Sequence, residues 1–510
     1  MVRFGIDFGT TRTVVAAVDE GRYPVASFDH EGRYVDYLPG YAAIDREGSP
    51  CFGDEARRRM ADRHSLAVSS VKRAIGGLAP DDPVPGLGDI TALELATRYV
   101  AWIRRMLCER SNLDVSSDSA LLTMIAVPAN AGTHQRYVTM ESFRRAGFEV
   151  LGMINEPTAA AIEYGHRNSS ALSPRSPKRY VLVYDLGGGT FDTAAIHLGG
   201  RRFRLLTSRG IAKLGGADFD EHLLEIAAES MGFDTHALAA GQRAAMLEIC
   251  REAKEALRPT SRRILLDFAP IDDALGEIIV DTAELYRRCQ PLVTRTIDMV
   301  VRVIESLRER GIDVDDPKQL AALYLVGGAS AFPAVARGLR ERFSRKLQLA
   351  PQAHAATAVG LAVAADPGAD VFVREAVTRH FGVWREASDG HDKVFDSILA
   401  QDVSSDDGDI VVRREYRPAH AIGHLRFLEC SELDDAGQPA GDLRPWSEIR
   451  FPYDPALVQV EHIEDVPVER RPLDGEIVET YRYTGDGSIA VTIENRTHGY
   501  HRMYVLGARR

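Results

Sequence analysis

Two short stretches place an acid, a glycine-bearing turn and threonine hydroxyls between apolar strands: GIDFGTTRTVV (5–15) and YDLGGGTFDTA (184–194). Consecutive glycines cost backbone entropy and add nothing to a strand. They do free backbone N–H groups to converge on an anion, and they remove the Cβ that would hold a phosphate away. Gly9 with Thr10 and Thr11 makes one such turn; Gly187, Gly188 and Gly189 with Thr190 make the other. Asp7 and Asp185 precede the turns on their strands, and Asp192 follows the second. Carboxylates stand beside phosphates only with a cation between them. Mg²⁺, which keeps several waters and takes one or two carboxylates plus phosphate oxygens, suits that place. Asp7, Asp185 and Asp192 are therefore the candidate metal holders. A single Gly-Gly at a strand end is usually only a tight connection; two turns of one pattern point to phosphate.

These residues need strands to carry them. Residues 4–19 read as a β-hairpin with a Gly-Thr-Thr tip. Residues 180–198 repeat the order strand, Asp, Gly-rich turn, Thr, strand, which is a weak internal duplication. Leu93, Val100, Ile103 and Leu107 share a helical stripe over 91–109, with Thr91 and Glu94 at capping-box spacing. Residues 121–128 form a strand ended by Pro128, 133–147 a helix closed by glycine, and 155–165 a helix with Pro157 in its first turn. Helices follow near 218–231, 243–257 and 284–310, then a strand–Gly-Gly–helix junction at 320–333 and a helix at 357–366. The pattern is α/β up to 366. Beyond 370, short alternating segments replace helical stripes. In 476–506, Ile477, Tyr481 and Tyr483 face one way, a GDG turn follows, and Ile489, Val491 and Ile493 continue the face. A mostly antiparallel β domain is expected, joined by the apolar connector DVFVRE (370–375).

The whole chain sets bounds. Its 510 residues exceed one ordinary core, and 45% apolar with 27% charged residues describes a globular protein. A net charge of −12 argues against a nucleic-acid or anionic-membrane surface. Cys51, Cys108, Cys250, Cys289 and Cys430 lie far apart without metal-type spacing, as for free thiols in a reducing compartment. No run approaches the roughly 20 apolar residues of a membrane span, and no signal-peptide core opens the chain. A cytoplasmic protein is expected.

Six motifs in order, GIDFGTT, VKRAIGG, INEPTAAAIEYG, DLGGGTFD, LGGADFD and LVGGASAFP, resemble the seventy-kilodalton heat-shock chaperone family, members of the actin-like ATPase superfamily. The resemblance covers nearly all of residues 1–366. It implies a two-lobed, actin-like (ribonuclease-H-like) α/β ATPase domain over 1–368, closing on ATP or ADP with Mg²⁺. It also implies an interdomain linker at 369–378 and an antiparallel β-sandwich at 379–510. Residue by residue, Thr10 and Thr11 match the first phosphate turn, and Lys72 the lysine that positions attacking water. Glu156 matches the glutamate that orients metal-bound water, and Thr190 the threonine near the γ-phosphate. With Asp185 and Asp192 these are the expected catalytic residues. Gly9, Gly187, Gly188, Gly189, Gly215, Gly216, Lys254, Gly327 and Gly328 complete the expected nucleotide contacts. Pro128 and Arg136 match a relay of nucleotide state, and Val371, Phe372 and Val373 a coupling linker. Taken singly, Lys72 beside Arg73 reads as a surface cation, Glu156 as a first-turn acid complementing a helix dipole, and Pro128 as a strand terminator.

Departures accompany the match. The helix at 243–257 carries Arg251 and Glu255 where the family places a glutamate and an adenine-facing arginine, so only Lys254 carries over. Ala331 replaces a second arginine that faces adenine, and Arg374 replaces a linker aliphatic. HFGVWRE resembles the first sandwich strand, whereas 404–470 fits poorly and yields no groove residues. A chain stopping at Arg510 is expected to lack the helical lid over bound peptide and the acidic tail for co-chaperones. The resemblance thus implies an ATP-hydrolysing chaperone-like protein that binds extended or unfolded polypeptide. J-domain proteins and nucleotide-exchange factors are the expected partners, with no nucleic acid and no membrane. The alternatives are an ATP-driven scaffold for one dedicated partner and a small-molecule kinase of the same fold.

Overall fold

The computed structural model describes residues 2–506 apart from 31, 46, 61–65, 171, 173–175, 272–274, 315, 344–345, 376, 388–391, 404–408, 472 and 485–487. The GDG turn (485–487) and the Arg374 side chain lie outside the described residues. Contacts group the chain into two units: 1–129 with 138–373, and 130–137 with 374–510.

The first unit contains two sheets built on the duplicated hairpin. Val2–Phe8 pairs antiparallel with Arg12–Ala17, and its other edge runs parallel to Leu121–Val127, which pairs with Glu149–Asn155. In the second lobe, Tyr180–Leu186 pairs antiparallel with Phe191–Gly199 and parallel with Leu320–Val326. Both central strands are nearly continuous apolar runs because helices cover their faces. The second lobe's core gathers Tyr184, Phe191, Phe219, Leu285 and Leu325, all almost fully buried.

Two helices tie the lobes together, Glu156–Arg167 and Ala356–Ala365. They meet backbone to backbone: a Cβ on Gly360 would lie 1.8 Å from Ala159 O. Ala356–Ala365 also presses on the opening strand, where a Cβ on Gly5 would lie 2.2 Å from Ala362 N. On the other side, Gly165 makes room for the Phe203 ring of strand Arg202–Ile211. Helix Ala92–Glu109 starts at Thr91, whose Oγ1 accepts from Glu94 N at 3.3 Å. The longest helix, Thr282–Glu309, is amphipathic, and no described helix is long and apolar enough to cross a membrane.

The connector does not float. Phe372–Arg374 becomes the edge strand of the second-lobe sheet beside Arg202–Ile211, with Phe372 N donating to Arg201 O at 3.0 Å. Its attachment is mainly backbone, since Phe372 stays 56% exposed.

The second unit is a β-sandwich of two four-stranded antiparallel sheets. One orders Asp392–Leu399, His380–Ala387, Ile422–Leu433 and Pro439–Pro452; the other Ile410–Tyr416, Ile477–Tyr483, Ile489–Asn495 and Tyr500–Leu506. Phe381, Phe427 and Phe451 from one sheet share a core with Ile477, Tyr481, Val491 and Ile493 from the other. The stretch 404–470, unreadable as motif, contains two of the longest strands. Register shifts between Arg426 and Leu428 and between Cys430 and Glu432 break their alternation.

Candidate functional site

The two turns pack together at one end of a cleft of about 990 Å³ in the first unit. Asp7, Gly9, Thr10, Thr11, Lys72, Glu156, Asp185, Gly187, Gly188, Thr190, Gly216, Lys254, Gly327 and Gly328 line it. Asp192, Gly189 and Gly215 stand just behind this lining. Asp192 is 4% exposed and pairs directly across the hairpin with Asp185. Two carboxylates opposite one another repel unless positive charge stands near them.

The glycines serve close packing as well as bare backbone. A Cβ on Gly188 would lie 1.8 Å from Thr11 Oγ1, and one on Gly189 would lie 2.7 Å from Thr10 Cγ2. One on Gly215 would lie 2.5 Å from Gly189 N. Gly216 N and Ala217 N donate to Gly187 O and Gly188 O, anchoring helix Gly216–Met231 against the turn. Gly327 holds a φ of +81°, and a Cβ there would strike Leu186 O and Asp185.

Lys72 arrives on a short helix that periodicity could not register, Val71–Ile75. Ser70 caps it by accepting from Arg73 N at 3.1 Å, and the same hydroxyl donates to Thr10 O. Val71 N donates to Gly40 O. These bonds pin Lys72 beside the first turn. Its Nζ lies 2.5 Å from Glu156 Oε1, and both residues are 8% exposed. Glu156 opens its helix after Asn155 and just ahead of Pro157. The surface-cation reading of Lys72 is therefore incorrect: burial and the ion pair exclude it.

Electrostatics at this end are unbalanced. Burial, then Glu156, push the Asp7 carboxyl up to about 7, against the opposing pull of Lys72. Burial raises Asp185 well above its ordinary value, with Glu156, Asp192 and Asp7 adding to it. Burial alone would lower Lys72, but Glu156, Asp7 and Asp192 outweigh it and keep the ammonium charged. Asp7 Oδ1 is buried with no hydrogen-bond partner. An orphaned carboxylate oxygen and raised carboxyl pKa values fit a divalent cation that favours their ionised forms. Among the described residues no three ligating side chains converge into an all-protein cage, which a Mg²⁺ retaining its waters does not require.

Further along the cleft, Lys254 pairs with Asp220 at 2.6 Å and donates to Gly216 O at 2.7 Å. At the expected base end, Arg251 and Glu255 are joined by Arg12, Tyr41, Arg57 and Glu248, which motif reading passed over. Arg12 Nη2 reaches Glu255 Oε2 at 2.6 Å, Tyr41 donates to Glu248 Oε2 at 2.7 Å, and Arg57 reaches Glu248 Oε1 at 3.2 Å. Arg251 pairs with Glu248 and donates to the Tyr41 hydroxyl. Arg12 directly follows the first threonine turn, which was the available signal; Tyr41 and Arg57 gave none. Ala329 lines the cleft, whereas Ala331 is exposed at the end of its 3-10 turn.

The residues expected to couple the domains are dispersed. Pro128 is buried after strand Leu121–Val127. Arg136, on helix Thr133–Arg145, is 8% exposed and lies in the segment grouped with the second unit. Val371 and Val373 are half-buried beside exposed Phe372.

Comparison with known proteins agrees with this architecture. Residues 110–372, just over half of the chain, match the family model described as Hsp70 protein. A Chaperone protein HscA homolog of Bordetella petrii is 32% identical over 408 residues, 74% of this chain and 61% of that protein. Homologues of the same name from Bordetella pertussis and Laribacter hongkongensis are 33% and 34% identical over 353 and 366 residues. Those alignments cover 65% and 67% of this chain, and 52% and 54% of the two relatives. The chain thus spans about half to three-fifths of the length of these relatives. With its two-lobed α/β unit, duplicated Asp–Gly-turn–Thr hairpins and β-sandwich, the chain belongs to the Hsp70 family.

Proposed function

We propose that the protein is an ATP-hydrolysing chaperone, its first unit turning over ATP and its β-sandwich binding extended polypeptide. The observation that carries the reading is the buried Lys72–Glu156 pair, 2.5 Å apart, beside Asp7 and Asp185 in a cleft that two threonine-bearing turns share. Phosphoanhydride hydrolysis needs a positioned water and neutralised charge more than covalent chemistry. Lys72 and Glu156 place and polarise that water. Thr10, Thr11, Thr190 and the N–H groups of the glycine turns hold phosphate oxygens, while Gly327, Gly328 and Lys254 bound the remaining length of the nucleotide. Asp7, Asp185 and Asp192 would hold Mg²⁺, which would neutralise phosphate charge. A small-molecule kinase would instead need a base directed at a second substrate; here Glu156 is already committed to Lys72, the pairing the hydrolytic reading calls for.

The linker supports coupling between the activities. Asp370 pairs with Arg201 at 3.2 Å, and Phe372 N bonds Arg201 O. These few contacts, with an exposed Phe372, make an edge strand that can dock and release. Pro128 and Arg136 are proposed to relay nucleotide state. Relatives named as chaperones favour polypeptide as the ligand; J-domain proteins and exchange factors as co-chaperones, and the cytoplasm as location, are part of the proposal.

Single-turnover hydrolysis of ATP by the full chain tests the reading. Lys72→Ala should bind ATP yet hydrolyse it about 100- to 1,000-fold more slowly, the loss expected for one transition-state donor. Hydrolysis within threefold of wild type would reject the assignment of Lys72. Peptide stimulation that survives Val371→Asp with Phe372→Asp would reject the linker's part.

A further inference from the structure

We propose that Arg12 grips the nucleoside end of the bound nucleotide, exchanging its resting partner Glu255 for the ligand; this rests on the nucleotide reading of the cleft. Arg12 is the first side chain after Thr10 and Thr11, so it leads away from the phosphate turn along the cleft wall, which it lines. Its guanidinium carbon lies 4.3 Å from the Tyr37 ring centroid. A guanidinium already stacked on one ring is pre-oriented for a further planar or hydroxyl-bearing group.

Its neighbours decide which cation at this wall is available. Arg57 and Arg251 both pair with Glu248, which also accepts from Tyr41. That carboxylate is 17% exposed and has its oxygens taken up by three donors. Arg12 has Glu255 instead, whose side chain is 42% exposed against 22% for Arg12. An ion pair so open to water holds weakly, and a ligand displaces it at little cost. A fixed latch between the lobes would use the same two residues, but it predicts a different sign when Glu255 is neutralised.

Calorimetry on the full chain, with Mg-ADP and with Mg-pyrophosphate, separates the cases. Arg12→Ala should weaken ADP binding about three- to thirtyfold, the range of one cation–π contact, and leave pyrophosphate within about twofold. Glu255→Gln should tighten ADP about two- to fivefold by freeing Arg12. If both variants weaken ADP, the pair is a latch and the proposal falls. If Arg12→Ala weakens pyrophosphate as much as ADP, the residue serves the phosphates and the proposal also falls. A wild-type chain that binds neither probe overturns the nucleotide reading itself, a failure visible before any variant is made.

Discussion

In the cleft of the first unit, buried Lys72 stands among Asp7, Glu156, Asp185 and Asp192, and Asp7 Oδ1 has no hydrogen-bond partner. In the core of the second unit, Glu479 is fully buried, yet both its oxygens are occupied. Arg385 Nη2 and the Tyr481 hydroxyl each lie 2.6 Å from Oε2, while Arg385 Nη1 and Tyr416 donate to Oε1. Arg385 also bonds Asp396, which Arg414 clamps from the other side. The difference shows in the carboxyls. Burial and like charges push Asp7 and Asp185 up. Burial would raise Asp396 too, but hydrogen bonds from Arg414 and Arg385 outweigh it and hold it below its ordinary value. Both regions bury charge; one is paired within the chain, and the other leaves Asp7 Oδ1 without a hydrogen-bond partner. An unbalanced buried cluster in a cleft therefore signals function, whereas a balanced one in a core signals structure.

The largest way to break the comparison is Glu479→Ala. It leaves Arg385 with Asp396 alone and the Tyr416 and Tyr481 hydroxyls without their acceptor, and removing one member of a buried pair costs about 3–5 kcal/mol. Urea unfolding in a Trp102→Phe background, where only Trp384 and Trp446 of the second unit emit, should show the loss. A change below about 1 kcal/mol would mean that the network is not what holds the sandwich.

The cleft should respond with the opposite sign. Asp7→Asn removes one of several repelling carboxylates at no cost in volume. In nucleotide-free protein with chelator, it should stabilise the first unit by about 0.5–2 kcal/mol while weakening Mg-nucleotide binding. A fall in melting temperature would place Asp7 among the structural charges.

The finest test is pH. Because folding depresses the Asp396 pKa, its stabilisation is present above the ordinary value of 3.8 and is lost as pH falls through the lower folded value. Asp396→Asn should therefore be less stable than wild type at pH 5–7, with the gap closing below about pH 4. A gap of constant size down to pH 3 would show that shape, not ionisation, matters at this position.

The paired turns were legible because they are local: acid, glycine turn and threonine are contiguous in each. The Lys72 motif was legible, but its helix Val71–Ile75 is too short for a period and is held by Ser70 and Gly40. The sandwich was legible from 476 onward, where strict alternation survives, and lost over 404–470, where register shifts interrupt it. Glu479 illustrates the limit. It shares the inward face with Ile477 and Tyr481, and no local pattern names Arg385 as the partner that makes its burial possible.

What the chain's order of residues determined by itself was the pair of hairpins, the helices with their caps and the acids at the strand ends, because each depends on neighbours within a few positions. Tertiary structure alone decided which charges meet. Glu255 finds Arg12, Glu248 finds Arg57, and Glu479 finds Arg385, over separations of 243, 191 and 94 residues. No local period encodes such pairs. Their partners are chosen by how the helices and sheets pack, and burial then makes each match or mismatch consequential.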